Sequence, residues 1–152
     1  MLLLLILLVS LSTASLSLCP RGIPIEEVAS FLNVHNTLRQ SIASGNFVAK
    51  DNRMPPSIDP IPNLTWNCDL EQSAQVQANR CQYRHSEELD ELGENVYMRW
   101  AGAKISIKGT GNDSSKFWAK EFQDHGWTDV NFTRHVFNSG IGDATQVGEV
   151  YS

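Results

Sequence analysis

Phe117-Trp118-Ala119-Lys120-Glu121 places a carboxylate on the same helical face as two large aromatic side chains. Glu121 follows Trp118 by three residues and Phe117 by four, and side chains at these spacings lie on one side of a helix. A carboxylate on an apolar face is costly unless it is paired or hydrogen-bonded. The stretch therefore predicts a polar partner for Glu121, either in a functional cleft or among backbone groups of the core.

Hydrophobic periodicity around this stretch predicts three helices. The first opens at Pro24-Ile25 and ends at Gly45. The second begins after a cap at Asn67 or Asp69, runs to about residue 84 and buries a narrow stripe of small side chains. The third begins after a cap at Asp113 or Ser114 and ends at residue 125, with a loop over residues 109–115. The expected buried faces are Val28, Phe31, Leu32, His35, Leu38 and Ile42 for the first helix, and Leu70, Ala74, Ala78 and Cys81 for the second.

Strands are predicted for residues 95–100 and 141–151, whereas the four prolines between residues 55 and 62 exclude a regular element there. Helices that flank a small antiparallel sheet give an α+β fold class. His35 shares the apolar face of the first helix, and we interpret it as a core histidine that orders helix packing.

The amino terminus predicts secretion. Residues 1–17 form an apolar run without charge that ends in the small-x-small pattern Ser15-Leu16-Ser17, which is typical of a signal peptide. Its uninterrupted core is shorter than the roughly 20 apolar residues that a membrane span needs. We therefore expect a signal peptide at residues 1–17, a single domain at 18–152, an extracellular protein, and no membrane span after cleavage.

The charge and the cysteines of the chain limit which partners and which disulfide bonds are possible. The chain has 17 acidic and 12 basic residues and no basic stripe, so nucleic acid is excluded as a partner. Cys68 and Cys81 lie thirteen residues apart on one predicted helix, about 20 Å, whereas a disulfide needs Cα atoms within about 7 Å. Cys19 is therefore expected to pair with one of these two cysteines. Three Asn-x-Ser/Thr sequons, at Asn63, Asn112 and Asn131, are glycosylation candidates on surface loops.

The motifs together resemble the CAP superfamily, the SCP-like extracellular domain of cysteine-rich secretory proteins and venom allergens. The motifs that carry this resemblance are Trp66-Asn67-Cys68 with Leu70-Glu71, Cys81 with His85-Ser86, Gly93-Glu94-Asn95-Val96, Phe117–Glu121, and Gly142-Asp143-Ala144-Thr145-Gln146. The stretch Asn138-Ser139-Gly140-Ile141-Gly142 is similar to the nematode secreted, venom allergen-like branch. The resemblance implies an αβα sandwich. Because family members continue beyond this region with further strands, it also implies that 18–152 is a partial, C-terminally truncated domain.

The resemblance further implies a polar cavity built from His85, Glu94, Glu121 and Asp143. Read alone, Glu94 is a solvated turn residue and His85 caps a helix end. In several family members two histidines of this cavity bind a divalent cation, usually zinc, but Asp143 stands where the second histidine is expected. We therefore expect no cofactor and a lost or strongly weakened zinc site at His85. A remaining oxygen-rich set would suit magnesium or calcium better, and two close carboxylates would raise one pKa.

Three functions follow. The leading prediction is a secreted, non-enzymatic CAP-domain protein that binds an extracellular protein or a lipid at a host or extracellular interface. No Gly-x-Ser-x-Gly nucleophile motif occurs. The alternative enzyme is a metal-assisted hydrolase that uses His85, Glu94 and Glu121 to activate water. The third possibility is an inactive truncated fragment.

Overall fold

The computed structural model describes residues 17–20, 22–50, 61–87, 92–126 and 138–148, and the side chains of 146–148 are excluded. Apart from Ser17, the predicted signal peptide lies outside these residues, as does the sequon at Asn131. Five helices are described: α1 (Ile25–Ala43), α2 (Cys68–Asn79), α3 (Thr110–Ala119), α4 (Glu121–His125) and α5 (Gly142–Gly148). None of the helices in the described ranges is long and apolar enough to cross a membrane.

A three-helix contact forms the core. Helix α1 packs against α3 and α5, and α3 also packs against α5. Phe122, Ile42 and Ile141 are fully buried at the centre, where the Phe122 ring meets Phe47 edge-on with ring centroids 5.6 Å apart. The other buried members of the core are Leu38, Ala49, Ile61, Trp118 and Ala144.

Helix α1 forms as its sequence predicts. Pro24 is the N-cap residue, the helix begins at Ile25, and Gly45 follows the C-cap with a left-handed φ of 67°. Val28 and Leu38 are buried on the expected face, and His35 is half-buried there. Both the predicted bounds of α1 and its predicted buried face are confirmed.

Helix α2 differs from its prediction in length and in burial. Asn67 caps it as expected, since its Oδ1 accepts the backbone N–H groups of Asp69 (2.8 Å) and Leu70 (3.1 Å). The helix ends at Asn79, short of residue 84, and contains no buried residue. The predicted inner face was wrong, because all four of its members are exposed: Leu70, Ala74, Ala78 and Cys81.

Polar and covalent links hold α2 instead of apolar packing. Glu71 accepts the backbone N–H of Ile23 on Oε1 and the indole N–H of Trp66 on Oε2, each at 2.6 Å. Cys19 and Cys68 form a disulfide with Cα atoms 5.6 Å apart, and Cys81 is an exposed free thiol. The expectation that Cys68 and Cys81 do not pair with each other is confirmed.

Helix α3 begins four to five residues earlier than predicted, because its N-cap is Gly109 instead of Asp113 or Ser114, so the loop prediction for residues 109–115 was wrong. Glu27 of α1 is buried and accepts the backbone N–H groups of Gly109 (2.6 Å) and Gly111 (3.0 Å). A carboxylate bound to unpaired N–H groups stabilises a helix start both by hydrogen bonding and through the dipole. The cap thus comes from a residue more than 80 positions away, and Lys120 then separates α3 from α4.

The strand predictions were also wrong within the described residues. Residues 142–148 form helix α5, in which Thr145 N–H donates to Ile141 O at 3.0 Å. Ile141, Ala144 and Thr145 are buried at helical spacing. Residues 95–100 contain no strand, and the β pairing in the described residues is an isolated antiparallel bridge between Ser17 and Pro24.

The Glu27 cap gives a stability prediction. Replacing Glu27 by glutamine keeps the shape of the side chain but turns one acceptor oxygen into an N–H₂ group facing a backbone donor. We expect Glu27→Gln to lower the free energy of unfolding by about 2 kcal/mol, as for a lost hydrogen bond to a charged group. Denaturant unfolding measures it. The exposed neighbour Glu26 provides the control, because Glu26→Gln should change stability by less than about 0.5 kcal/mol. Equal effects of the two variants would contradict the role of Glu27.

Candidate functional site

His85 and Glu94 meet on two irregular segments that follow α2. His85 Nδ1 lies 3.0 Å from Glu94 Oε1, and the same oxygen accepts the backbone N–H of Ser86 at 2.8 Å. The Ser86 hydroxyl donates to Glu94 Oε2. The Glu94 side chain is 18% exposed and that of His85 is 61% exposed, so the carboxylate is mostly covered while the imidazole is largely open to solvent.

Glu121 and Asp143 meet where α4 begins and α5 begins. Glu121 Oε2 accepts the backbone N–H of Ala144 at 3.0 Å, which binds the first turn of α5 to α4. The carbonyl oxygen of Asp143 accepts Asn95 Nδ2 at 2.9 Å, and Asn95 follows Glu94 directly. Two polar links therefore hold the first turn of α5, one from each of the glutamate-bearing segments.

The pKa values show how these groups influence one another. Burial raises the pKa of Glu121 above its ordinary value, and the negative charge of Asp143 raises it further. Burial also raises the pKa of Asp143, while nearby His85 partly offsets the rise. For Glu94, burial acts upward, but the hydrogen bonds from Ser86 and His85 outweigh it, so the pKa of Glu94 is lowered. His85, Glu94, Glu121 and Asp143 thus form one electrostatically connected group, which we call the polar cluster.

The aromatic neighbours of Glu121 do not share one environment. Trp118 is buried and its indole N–H donates to Val96 O at 3.3 Å, whereas Phe117 is 52% exposed and contacts Tyr97 with ring centroids 5.6 Å apart. The predicted apolar face therefore divides into a buried half, with Trp118, and an outer half, with Phe117. Glu121 is half-buried, and the polar partner that its position requires is the backbone of α5.

A model of the cysteine-rich secretory protein family, CAP, matches residues 32–152. The chain belongs to the CAP family. Solved CAP structures superimpose on it: the crystal structure of NaASP2 with Zn²⁺ has a TM-score of 0.78 at 28% identity and covers 85% of this chain and 70% of that one. The structure of BmVAL-1 has a TM-score of 0.76 at 27% identity, covering 86% and 66%. The predicted fold class, the α+β αβα sandwich of the CAP type, is confirmed by these neighbours.

Relatives of the CAP chain include venom allergens and a nematode secreted protein. Venom allergen 3 of Solenopsis invicta is 33% identical over 68% of this chain and 45% of its own length. Venom allergen 5 of Vespula pensylvanica is 32% identical over 83% of this chain and 62% of its own. The Ancylostoma secreted protein of Ancylostoma caninum is 30% identical over 64% and 23%, respectively. The chain therefore spans less than two thirds of the length of each of these curated relatives, and the resemblance to the venom allergen-like branch is confirmed.

His85, Glu94 and Glu121 of the polar cluster bond to other groups of this CAP domain. Zinc sites use three or four side chains that converge on one point. The residues that the structure describes contain no group of three or more histidine, cysteine, aspartate or glutamate side chains arranged to hold a metal. His85 Nδ1 is directed at Glu94, and both glutamates are held by hydrogen bonds from the chain itself.

Ser86 and Asn95 hydrogen-bond to the polar cluster, although neither was predicted as a site residue. Ser86 supplies two of the hydrogen bonds to Glu94, and Asn95 fixes the backbone of Asp143. Both residues directly follow a residue predicted for the site, so their place in the motifs was the available signal. His35, by contrast, is half-buried beside the core: its Nδ1 is 2.8 Å from Phe31 O, its ring makes a T-shaped contact with Trp118, and burial lowers its pKa.

Opposite pH dependence is expected for two carboxylates of the cluster. A carboxyl group whose pKa is raised in the folded state stabilises the fold in acid, where it is protonated. This contribution is lost as the pH rises through the pKa of the folded state. Asp143→Asn should therefore raise the free energy of unfolding at pH 7 by a few tenths to about 1 kcal/mol, because partial exposure screens the effect. The difference should vanish below the ordinary aspartate pKa.

The paired control is Glu94→Gln. Because the pKa of Glu94 is lowered, its contribution is present above the unfolded pKa and is lost as pH falls through the folded one. Glu94→Gln should therefore reduce stability at pH 7 and lose that effect in acid. Urea unfolding between pH 3 and pH 7 measures both variants. An Asp143→Asn variant that is destabilised equally at every pH would contradict the assignment.

Proposed function

We propose that this chain is a secreted CAP-domain protein that acts by binding an extracellular protein or a lipid and not by catalysis. The proposal rests on the hydrogen bonds of the two glutamates in the polar cluster, both of which bond to other groups of the chain. Glu94 accepts bonds from His85 and Ser86, and Glu121 accepts the N–H of Ala144. A general base needs a lone pair directed at a substrate or water, whereas these carboxylates join segments of the chain to one another.

Secretion is supported by the apolar segment at residues 1–17 and by the relatives. One relative is named a secreted protein, and two are named venom allergens. The disulfide between Cys19 and Cys68 also suits an oxidising compartment.

A groove beside α3 supports binding as the mode of action. It has a volume of about 270 Å³ and lies between the segment after Asn95 and the start of α3. Ile105 and Ile107 line it and are 40% and 47% exposed, and Tyr97 supplies an aromatic wall. Arg99 adds a cation that is already tied to Thr110 and to the Ser106 carbonyl. Apolar walls with a few fixed polar groups are typical of sites for small apolar ligands.

A fluorescent fatty acid tests the proposal with the purified mature protein. We expect saturable binding that Ile107→Ser weakens by roughly tenfold, since burial of a large aliphatic side chain contributes about 1.5–3 kcal/mol. Val48→Ser is the matched control, because Val48 is 49% exposed and lies outside the groove. Equal binding by both variants would remove the groove from the proposal.

Ester hydrolysis and zinc titration provide the second arm. We expect no turnover above the buffer rate and no micromolar zinc affinity. Turnover that requires zinc and disappears in His85→Ala would overturn the non-enzymatic assignment and favour the metal-assisted hydrolase.

A further inference from the structure

An open groove of about 420 Å³ runs along the outer side of α1, next to the segment that begins at Ile61. The groove is lined almost entirely by polar side chains, five of which carry an amide or hydroxyl group. The lining residues are Leu32, Asn33, Asn36, Thr37, Gln40 and Asn63.

Two of these amides fix the wall of the groove. Asn36 makes a reciprocal pair with Leu64, donating to its carbonyl at 3.1 Å and accepting its N–H at 2.7 Å. Gln40 Nε2 donates to Ile61 O at 3.1 Å and to Asn63 Oδ1 at 3.0 Å. Because both helix residues bond to the segment at 61–64, Asn63 is held at a defined position beside α1.

The exposed part of the groove presents sugar-binding chemistry. Asn33 and Thr37 are exposed and four residues apart, so their side chains lie on one side of α1. Together they offer a carboxamide and a hydroxyl, each of which both donates and accepts hydrogen bonds. Leu32 is partly buried and adds an apolar floor suited to a methyl group.

Of the two sequon asparagines that the structure describes, Asn63 is better placed than Asn112 to carry a glycan. It is exposed, lies outside the helices, and uses its Oδ1 to accept from Gln40. A group attached to Nδ2 replaces one of its hydrogens and leaves Asn63 Oδ1 free to accept the same bond from Gln40. Asn112, expected on a loop, instead lies in the first turn of α3, is half-buried, and donates its Nδ2 hydrogen to Asp113 at 3.1 Å. The prediction that Asn112 lies on a surface loop was wrong.

We infer that Asn63 carries an N-linked glycan whose first N-acetylglucosamine packs into the groove on α1. In the transfer, Asn63 Nδ2 forms a bond to C1 of the sugar and loses a proton. The bond between C1 and the oxygen of a lipid diphosphate-linked oligosaccharide donor breaks, and the lipid diphosphate leaves. The acetamido methyl group then rests on Leu32, and the sugar's polar groups bond to Asn33 and Thr37. This inference rests on the proposed secretion, because the donor is available only in the secretory pathway.

Expression of the full chain in a secreting eukaryotic cell tests the modification. Mass is measured before and after N-glycosidase treatment, both in the medium and in the cell lysate. Thr65→Ala destroys the sequon without touching Asn63 or its bond from Gln40, and we expect it to lose the mass of one whole glycan. Asn112→Gln is the matched control and should keep that glycan. An unchanged mass in Thr65→Ala would overturn the inference.

Hydrogen exchange tests the packing. We expect amides of residues 32–40 to exchange more slowly in the glycosylated wild type than in Thr65→Ala. The double variant Asn33→Ala/Thr37→Ala should keep the glycan but lose the slowing. Equal exchange with and without the glycan would overturn the groove contact. A glycan found at Asn63 only in the lysate would support the modification and count against secretion, so the two failures are distinguishable.

Discussion

Phe122→Ala is expected to lower the free energy of unfolding by about 3–5 kcal/mol, the range for deleting a buried aromatic ring. Phe122 has no exposed surface, and its ring meets Phe47 edge-on at 5.6 Å. It follows Glu121 directly, so the cavity would also loosen the segment that binds α5 through Ala144. Urea unfolding followed by circular dichroism measures the loss.

Phe117→Ala is the matched control for this substitution. Phe117 lies five residues earlier and is 52% exposed, so its removal leaves no closed cavity. We expect a loss of about 1 kcal/mol or less. If both variants unfold at the same urea concentration, the core is not centred on Phe122.

Loss of the disulfide is expected to have the other large effect. The bond joins residues separated by 49 positions, and the entropy of closing a loop of this length corresponds to about 4 kcal/mol. The double variant Cys19→Ser/Cys68→Ser should therefore unfold with a free energy lower by about that amount. Both cysteines are replaced so that the variant has no free thiol in addition to that of Cys81.

Cys81→Ser is the control, because Cys81 is exposed and forms no disulfide. It should change stability by less than about 0.5 kcal/mol. Denaturant unfolding of the three proteins under non-reducing conditions decides the matter. A double variant as stable as the wild type would show that the bond does not hold the fold together.

The fold was predictable where local signals decide it. Helix α1 has its proline start, its apolar spacing and its terminal glycine in one continuous stretch, and each is found where expected. The start of α3 was not predictable in this way, because its cap is Glu27 of another helix. Helix α5 was wrongly predicted as a strand, because it has only seven residues and its packing against α1 and α3, where Ala144 is buried, is a long-range effect that the local sequence does not show.

The site shows the same division between local and long-range information. The position of Glu121 on an apolar helix face required a polar partner for its carboxylate. Burial raises the pKa of both Glu121 and Asp143, and the charge of Asp143 adds to the rise for Glu121. The partner itself, the backbone of Ala144, follows only from how α4 meets α5. The grouping of His85 with the two glutamates came from the family resemblance, since no spacing rule connects residues so far apart.

The absence of buried residues in α2 has a consequence for motion. Opening this helix would expose little new apolar surface, so its local unfolding should need much less free energy than opening of the α1–α3–α5 core. The Cys19–Cys68 bond sits at its first residue and keeps that end in place while the other end separates. Helix α2 is therefore expected to fray from Asn79 back toward Cys68, on a timescale at which the rest of the domain stays folded.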